Sequence, residues 1–305
     1  MRLSRRRWLI SGGREDRSDI CMKFFLSGLG NMYANLDHIS KAVIEADGLG
    51  FDGALMPDHY MWGSMGGGHM FQDPYSTMET WVTLTYLAGK TEQIGLGTLV
   101  TPVPFRPPAQ LAKMLSTLDV LSGGRVIFGV GAGWSQVEFD GYSEWGSPKA
   151  RVDKTEEGVQ LILRLWTEDE VDHEGRYYTA KGAVLEPKPV QKPHPPLLFA
   201  GPGKRMLSMA GRYGDLVYIP MWTQGNPEEA KARVLRAAEK AGRADKVSFI
   251  AGDMGGRGPY DSAEHLKKVE AAEESGAKVY MTGFPRDGFF EAMRKFAEEV
   301  MPSYK

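Results

Sequence analysis

The chain has 305 residues, 42% hydrophobic and 25% charged, which is the balance of an ordinary globular protein with a large core, long enough for one α/β barrel or two average domains. Lys plus Arg number 37 against 39 for Asp plus Glu, so a net charge of −2 supplies no electrostatic footprint for nucleic acid or an anionic membrane surface, and a small molecule is the expected partner. The single cysteine, Cys21, excludes an internal disulfide and any multi-cysteine metal or redox motif, so the cytosol is the expected compartment. No stretch approaches the roughly 18 apolar residues of a membrane helix.

Residues 1–21 open with Ser4-Arg5-Arg6-Arg7-Trp8-Leu9, which superficially resembles a twin-arginine export signal. The polar stretch that follows has no apolar h-region and no small-residue cleavage site, so the segment is read as a disordered leader preceding the true start at Met22. From Met22 onward, short apolar or β-branched runs alternate with segments of helical period. Lys23 to Ser27 is the first predicted strand. Asp37 to Gly48 is helical, with Ile39, Val43, Ala46 and Leu49 on one face and Gly50 as terminator. Phe51 to Pro57 is the second strand, residues 59–74 a long loop, and Ser76 to Gly89 a helix. Ile94 to Val100, Pro107 to Leu121 and Arg125 to Val130 give strand, helix and strand, the helix with Pro in its first turn.

Arg151 to Trp166 is the fourth helix of the alternation, and Val171 to Leu185, around His173-Glu174-Gly175, reads as a β-hairpin insertion after it. Pro187 to Pro196 is an extended, proline-rich connection. Strands at Leu197–Ala200, Leu216–Ile219, Val247–Ala251 and Ala277–Thr282 then alternate with helices at Lys204–Arg212, Pro227–Ala241, Ser262–Ser275 and Gly288–Met301. Eight strand-helix rounds with one hairpin predict a (β/α)8 TIM barrel over residues 22–305. A doubly wound open sheet is the alternative, and no early Gly-x-Gly-x-x-Gly supports it.

In such a barrel the chemistry sits at the carboxyl ends of the strands. Asp58 and His59 end the second strand: His59 is suited to proton transfer near neutral pH, and the alternative is that Asp58 caps a turn while His59 packs in a loop. Gly131-Ala132-Gly133 after the fourth strand permits close approach of a ligand, and Trp134 either stacks on a ring or covers the mouth. Gly201-Pro202-Gly203, just before a helix, is either an anion cradle or a tight βα turn. Arg106 is read as a cap or ion pair near the active edge and Arg125 as lying on the opposite, stabilising face; neither is assigned to catalysis. The loop containing Trp62, Met70 and Phe71 combines glycine with Met and aromatic groups, as a substrate wall or lid does, and equally a dimer contact. The histidines show no metal-ligand spacing, and there is no Gly-x-Ser-x-Gly turn or P-loop.

Four segments together resemble the bacterial-luciferase-like superfamily, and within it the branch that uses the deazaflavin coenzyme F420. They are Phe51-Asp52-Gly53-Ala54-Leu55-Met56-Pro57-Asp58-His59, Ile94-Gly95-Leu96-Gly97-Thr98-Leu99-Val100, Thr117-Leu118-Asp119-Val120-Leu121-Ser122-Gly123-Gly124-Arg125 and Gly131-Ala132-Gly133-Trp134. Later segments agree, including Gly175-Arg176-Tyr177-Tyr178 and Ala210-Gly211-Arg212-Tyr213-Gly214-Asp215. The resemblance implies a TIM barrel, a homodimer through the early helices, and a deazaflavin or flavin ring across the strand ends. It places Asp58 at the polar edge of the ring and His59 toward the reacting carbon and substrate. Leu99-Val100 falls where related enzymes carry a non-proline cis peptide backing the ring. Gly131, Ala132, Gly133 and Trp134 line the ring or its side chain, and Gly201, Pro202 and Gly203 hold the tail phosphate.

The chain departs from the better-defined subfamilies. Ser27 stands where the F420-dependent sugar-phosphate and alcohol dehydrogenases and the methylene-tetrahydromethanopterin reductases have an acidic residue. Trp134 stands where the dehydrogenases have a carboxylate, and no basic grip for a sugar phosphate is evident around Tyr218 to Gln224. The expected activity is therefore F420-dependent hydride transfer with an unassigned organic substrate. An FMN-dependent monooxygenase is the alternative, and a non-catalytic cofactor-binding protein of the same fold is a third reading.

Overall fold

A computed structural model describes residues 21–29, 35–61, 76–220, 226–255 and 258–304. Its elements run β1 (Lys23–Leu26), α1 (Leu36–Leu49), β2 (Gly53–Met56), α2 (Thr80–Ala88), β3 (Gly95–Thr98), β4 (Thr101–Pro102), α3 (Pro108–Ser122), β5 (Val126–Gly131), α4 (Gln136–Tyr142) and α5 (Pro148–Thr167). They continue through β6 (Val171–Glu174), β7 (Thr179–Ala183), β8 (Leu197–Ala200), α6 (Lys204–Tyr213), β9 (Leu216–Tyr218), α7 (Pro227–Lys240), β10 (Ser248–Gly252), α8 (Ser262–Glu274), β11 (Val279–Thr282) and α9 (Phe289–Glu299).

The sheet runs β3-β2-β1-β11-β10-β9-β8-β5 and closes through a β3–β5 pairing, Leu96 opposite Val126 and Gly97 opposite Ile127, so eight parallel strands form a barrel. The two-residue β4 adds to β5 beyond that ring. The period of two along each strand divides the apolar residues between two cores. Phe25, Leu55, Ile127, Leu198, Ile250 and Met281 fill the interior of the ring. Phe24, Leu26, Leu96, Phe128 and Phe199 face outward against the helices.

Local chemistry explains where the elements stop. The Asn35 side chain accepts the Asp37 N–H at the start of α1, whose buried stripe is Ile39, Ala42, Val43 and Ala46, and Gly50 ends it in the left-handed conformation at φ 83°. Ser147 caps α5 by accepting the Ala150 N–H, with Pro148 in the first turn. The expected hairpin is present as the antiparallel pair β6–β7. On the amino-terminal side of the barrel, Arg125 donates to the carbonyls of Ala88, Thr91, Ile94 and Ser122, which fixes it as a structural clamp.

Three local expectations are corrected. The helix expected from Ser76 begins only at Thr80, because Glu79 acts as its N-cap, its side chain accepting the Val82 N–H. The strand expected to run unbroken from Ile94 to Val100 ends at Thr98; a cis peptide joins Leu99 to Val100, and pairing resumes at Thr101. The third correction is α4, a seven-residue helix absent from the sequence reading. It is too short to show a period, and it is held by burial of Glu138 and Phe139.

Candidate active site

The candidate residues at 58–59, 99–100, 131–134 and 201–203 follow β2, β3, β5 and β8, which are consecutive around the ring. The sheet therefore brings the four tips onto one continuous arc of the carboxyl mouth. Leu99 and Val100 are half-buried and rest on the inner core of the barrel. Trp62, Met70 and Phe71 lie outside the described residues.

Asp58 is 1% exposed, and its carboxylate is gripped from two sides. Arg106 donates from Nη1 to Oδ2 at 2.7 Å and from Nη2 to Oδ1 at 2.9 Å, while Thr101 Oγ1 donates to Oδ2 at 2.8 Å. The network extends outward: Trp81 Nε1 donates to Thr101 Oγ1 at 3.0 Å, and Arg106 Nη2 also bonds Glu79 Oε1. Burial works against the charge on Arg106, but Asp58, with its charge and hydrogen bonds, together with Tyr60 and Glu79 outweighs it and holds the guanidinium above its usual pKa. The same guanidinium lies 5.0 Å from the centroid of the Tyr60 ring, and burial pushes the Tyr60 phenol up to about 12 despite the opposing pull of Arg106.

His59 points its Nδ1 at Glu138 Oε2, 2.7 Å away. Glu138 is completely buried, and its other oxygen, Oε1, accepts the backbone N–H groups of Tyr60 at 2.8 Å and Met61 at 3.3 Å. The ring of Trp134, 54% exposed, meets His59 edge to face with centroids 5.6 Å apart. An acid–base side chain, its carboxylate and an exposed aromatic plane thus converge where β2 and β5 end.

The glycines fall into two kinds. A Cβ at Gly131 would lie 2.5 Å from Val100 Cγ2 and one at Gly133 would lie 2.5 Å from the Phe139 ring, so their bareness accommodates the chain's own packing. Gly201, at φ 144°, has nothing within 4 Å of the Cβ position, and Gly203 meets only Met206 Cγ at 4.0 Å. Gly203 is also the N-cap of α6, with no side-chain cap, so this turn presents open backbone at a helix N-terminus.

Sequence reasoning missed Glu138, and it placed Arg106 as a cap or ion pair near the active edge without naming Asp58 as its partner. A signal for the first was present: Ser135-Gln136-Val137-Glu138 has the spacing of a capping box. In the structure the Ser135 hydroxyl makes no cap bond, and Glu138 turns to His59 instead. The identity of the Arg106 partner left no local signal.

A family model described as luciferase-like monooxygenase matches residues 17–253. The chain belongs to this family. Among its luciferase-like relatives, an F420-dependent glucose-6-phosphate dehydrogenase of Segniliparus rotundus is 35% identical over 222 residues, covering 72% of this chain and 62% of that protein. An FMNH(2)-dependent dimethylsulfone monooxygenase of Pseudomonas putida is 34% identical over 176 residues, 56% of this chain and 47% of that protein. The matched part of this luciferase-like chain thus spans less than two thirds of these relatives' length. Among solved structures, an F420-dependent secondary alcohol dehydrogenase in complex with an F420-acetone adduct superposes with a TM-score of 0.79 at 21% identity, over 93% of this chain and 99% of that one. At that identity the likeness establishes the shared barrel fold.

Proposed function

We propose that this chain is an F420-dependent oxidoreductase that moves a hydride between the deazaflavin C5 and a small organic substrate. The observation that carries the reading is the convergence of His59, Glu138 and exposed Trp134 beside the Leu99-Val100 peptide on one arc of the barrel mouth. The residues suit a flat ring with a phosphate tail. Leu99 and Val100 offer an apolar surface, and the open turn at Gly201, Pro202 and Gly203 offers backbone donors for the tail. Gly131, Ala132, Gly133 and Trp134 complete the flank. When bound, the deazaflavin supplies the hydride chemistry.

The protein's own part is to bind, orient and move a proton. With Nδ1 engaged by Glu138, Nε2 of His59 is the atom that exchanges the proton accompanying hydride transfer. The Asp58 carboxylate already accepts three hydrogen bonds of a capacity of about four, so we assign it to fixing the strand end that carries His59, with one acceptor site left for a ring edge. We read residues 22–305 as one cytosolic barrel domain. We further propose a homodimer through α2 and α3, which pack side by side and carry the exposed apolar residues Val82, Tyr86 and Leu121.

The likeness to the FMNH(2)-dependent monooxygenase favours a second reading, with FMN in the same mouth. Titration of the purified protein with F420 and with FMN separates them. Micromolar binding of F420 with turnover of a reduced or oxidised acceptor is expected, and micromolar binding of FMN alone would end the F420 reading.

A further inference from the structure

The carboxylate of Glu138 has three partners, and all of them bear on one short stretch of chain. Oε2 lies 2.7 Å from Nδ1 of His59, and Oε1 accepts the N–H groups of the next two residues, Tyr60 at 2.8 Å and Met61 at 3.3 Å. Glu138 itself is inaccessible to solvent and is carried on α4, within an aromatic layer in which Phe139 packs on Phe105 and Phe105 stacks on Tyr60. A carboxylate accepts hydrogen bonds and donates none, so a buried carboxylate facing an imidazole nitrogen requires that nitrogen to carry the hydrogen.

We infer that Glu138 is a positioning residue that locks His59 in the Nδ1–H tautomer and aims Nε2 as its proton-exchanging atom. The inference rests on the acid–base role proposed for His59, but the tautomer is a property of the protein without any ligand. The two backbone bonds give the lock its directionality. They anchor Oε1 to the peptide units that follow His59, so Oε2 is held against the ring by two fixed points rather than by a free side chain. Glu138 touches no reacting atom in this scheme; it acts through His59.

Glu138→Gln offers a near-isosteric test, because an amide has only one acceptor oxygen. The N–H groups of Tyr60 and Met61 both demand an acceptor, so the glutamine oxygen takes the Oε1 position and the amide NH₂ faces Nδ1. Nδ1 must then accept, and the hydrogen moves to Nε2. In ¹⁵N-histidine-labelled protein, two-bond ¹H–¹⁵N correlations report which nitrogen of a neutral ring is protonated, and loss of one of the six histidine signals in His59→Asn identifies the residue. Wild-type protein is expected to show Nδ1–H at His59, and Glu138→Gln to show Nε2–H.

In turnover, Glu138→Gln is expected to lower kcat on the order of 10²-fold, as loss of general acid–base catalysis does, with cofactor Kd and substrate KM within about twofold of wild type. An Nε2–H ring in the wild type, or the same tautomer in both proteins, overturns the inference without the need for an active variant. Equal losses in kcat and in cofactor affinity would reduce Glu138 to a structural prop and overturn it as well. The tautomer measurement uses ligand-free protein, so failure of the F420 reading leaves its outcome intact and distinguishable.

Discussion

Arg106 holds Asp58 in a two-pronged clasp at 2.7 and 2.9 Å, with the guanidinium 7% and the carboxylate 1% exposed. The geometry satisfies the carboxylate in a place where an unpaired charge would be severely penalised. Removing one partner should therefore cost far more than the pair is worth against an apolar replacement. Arg106→Met is expected to destabilise the fold by about 3–5 kcal/mol, and the double variant with Asp58→Leu by much less. Urea unfolding of the two variants and the wild type gives both numbers; a single-variant cost below about 1 kcal/mol would mean that water reaches Asp58 and that the clasp does not fix the end of β2.

That clasp frees His59 for a separate task. His59→Ala keeps the Asp58 network intact and removes the proposed acid–base group together with the partner of Glu138 Oε2, so kcat should fall about 10²–10⁴-fold while cofactor affinity stays close to wild type. Stopped-flow absorbance under single-turnover conditions separates the two quantities. Unchanged single-turnover rates would remove His59 from the mechanism.

The sequence conveyed the barrel well because its signal is local and repeated. Apolar runs at Lys23–Leu26, Gly53–Met56 and Leu197–Ala200 alternate with helical stripes such as Ile39, Ala42, Val43 and Ala46, and closure of eight such rounds follows from handedness and size. That Asp58, His59 and the glycine tips stand at strand ends was legible as well, since each follows an apolar run. What holds them was not. Glu138 is 79 residues from His59, and Arg106 is 48 from Asp58. Both partners come from segments without period, a seven-residue helix and the link into α3, and only the closed ring brings β2, β3 and β5 side by side. The glycines carry a second requirement that the sequence does not show: the space a side chain would need at Gly131 and Gly133 is filled by Val100 and by Phe139 of α4.

Alkaline pH should weaken the fold through its buried and half-buried tyrosines. Burial, assisted by the nearby Asp253 charge, pushes Tyr218 from 10.0 up to about 12, and burial raises Tyr60 and Tyr178 to about 12 as well. Below the unfolded value both states keep the phenol protonated, and the stability is fully present. As pH rises from 10 toward 12, the unfolded chain ionises first and the folded chain resists, so unfolding becomes progressively more favourable until the folded phenol also ionises. Tyr218→Phe should flatten that decline in urea-derived stability across the same window. An identical slope in wild type and variant would show that Tyr218 titrates normally in the folded protein.

The outer faces of α2 and α3 carry Val82 and Leu121, each 65% exposed, and Tyr86 at 47%. Apolar groups so exposed on two adjoining helices are expected to be covered by a second copy of the chain. Burying the side chains of Val82 and Leu121 would contribute about 1.5–3 kcal/mol each, so replacing both by glutamate should weaken association by at least about 10²-fold, more if the charges remain desolvated. Sedimentation velocity at a fixed protein concentration should show wild-type dimer and variant monomer, with far-ultraviolet circular dichroism unchanged because neither side chain supports the barrel. A wild-type protein that sediments as a monomer at all accessible concentrations would show instead that these residues face solvent, and the dimer would have to be withdrawn while the reading of the site stands.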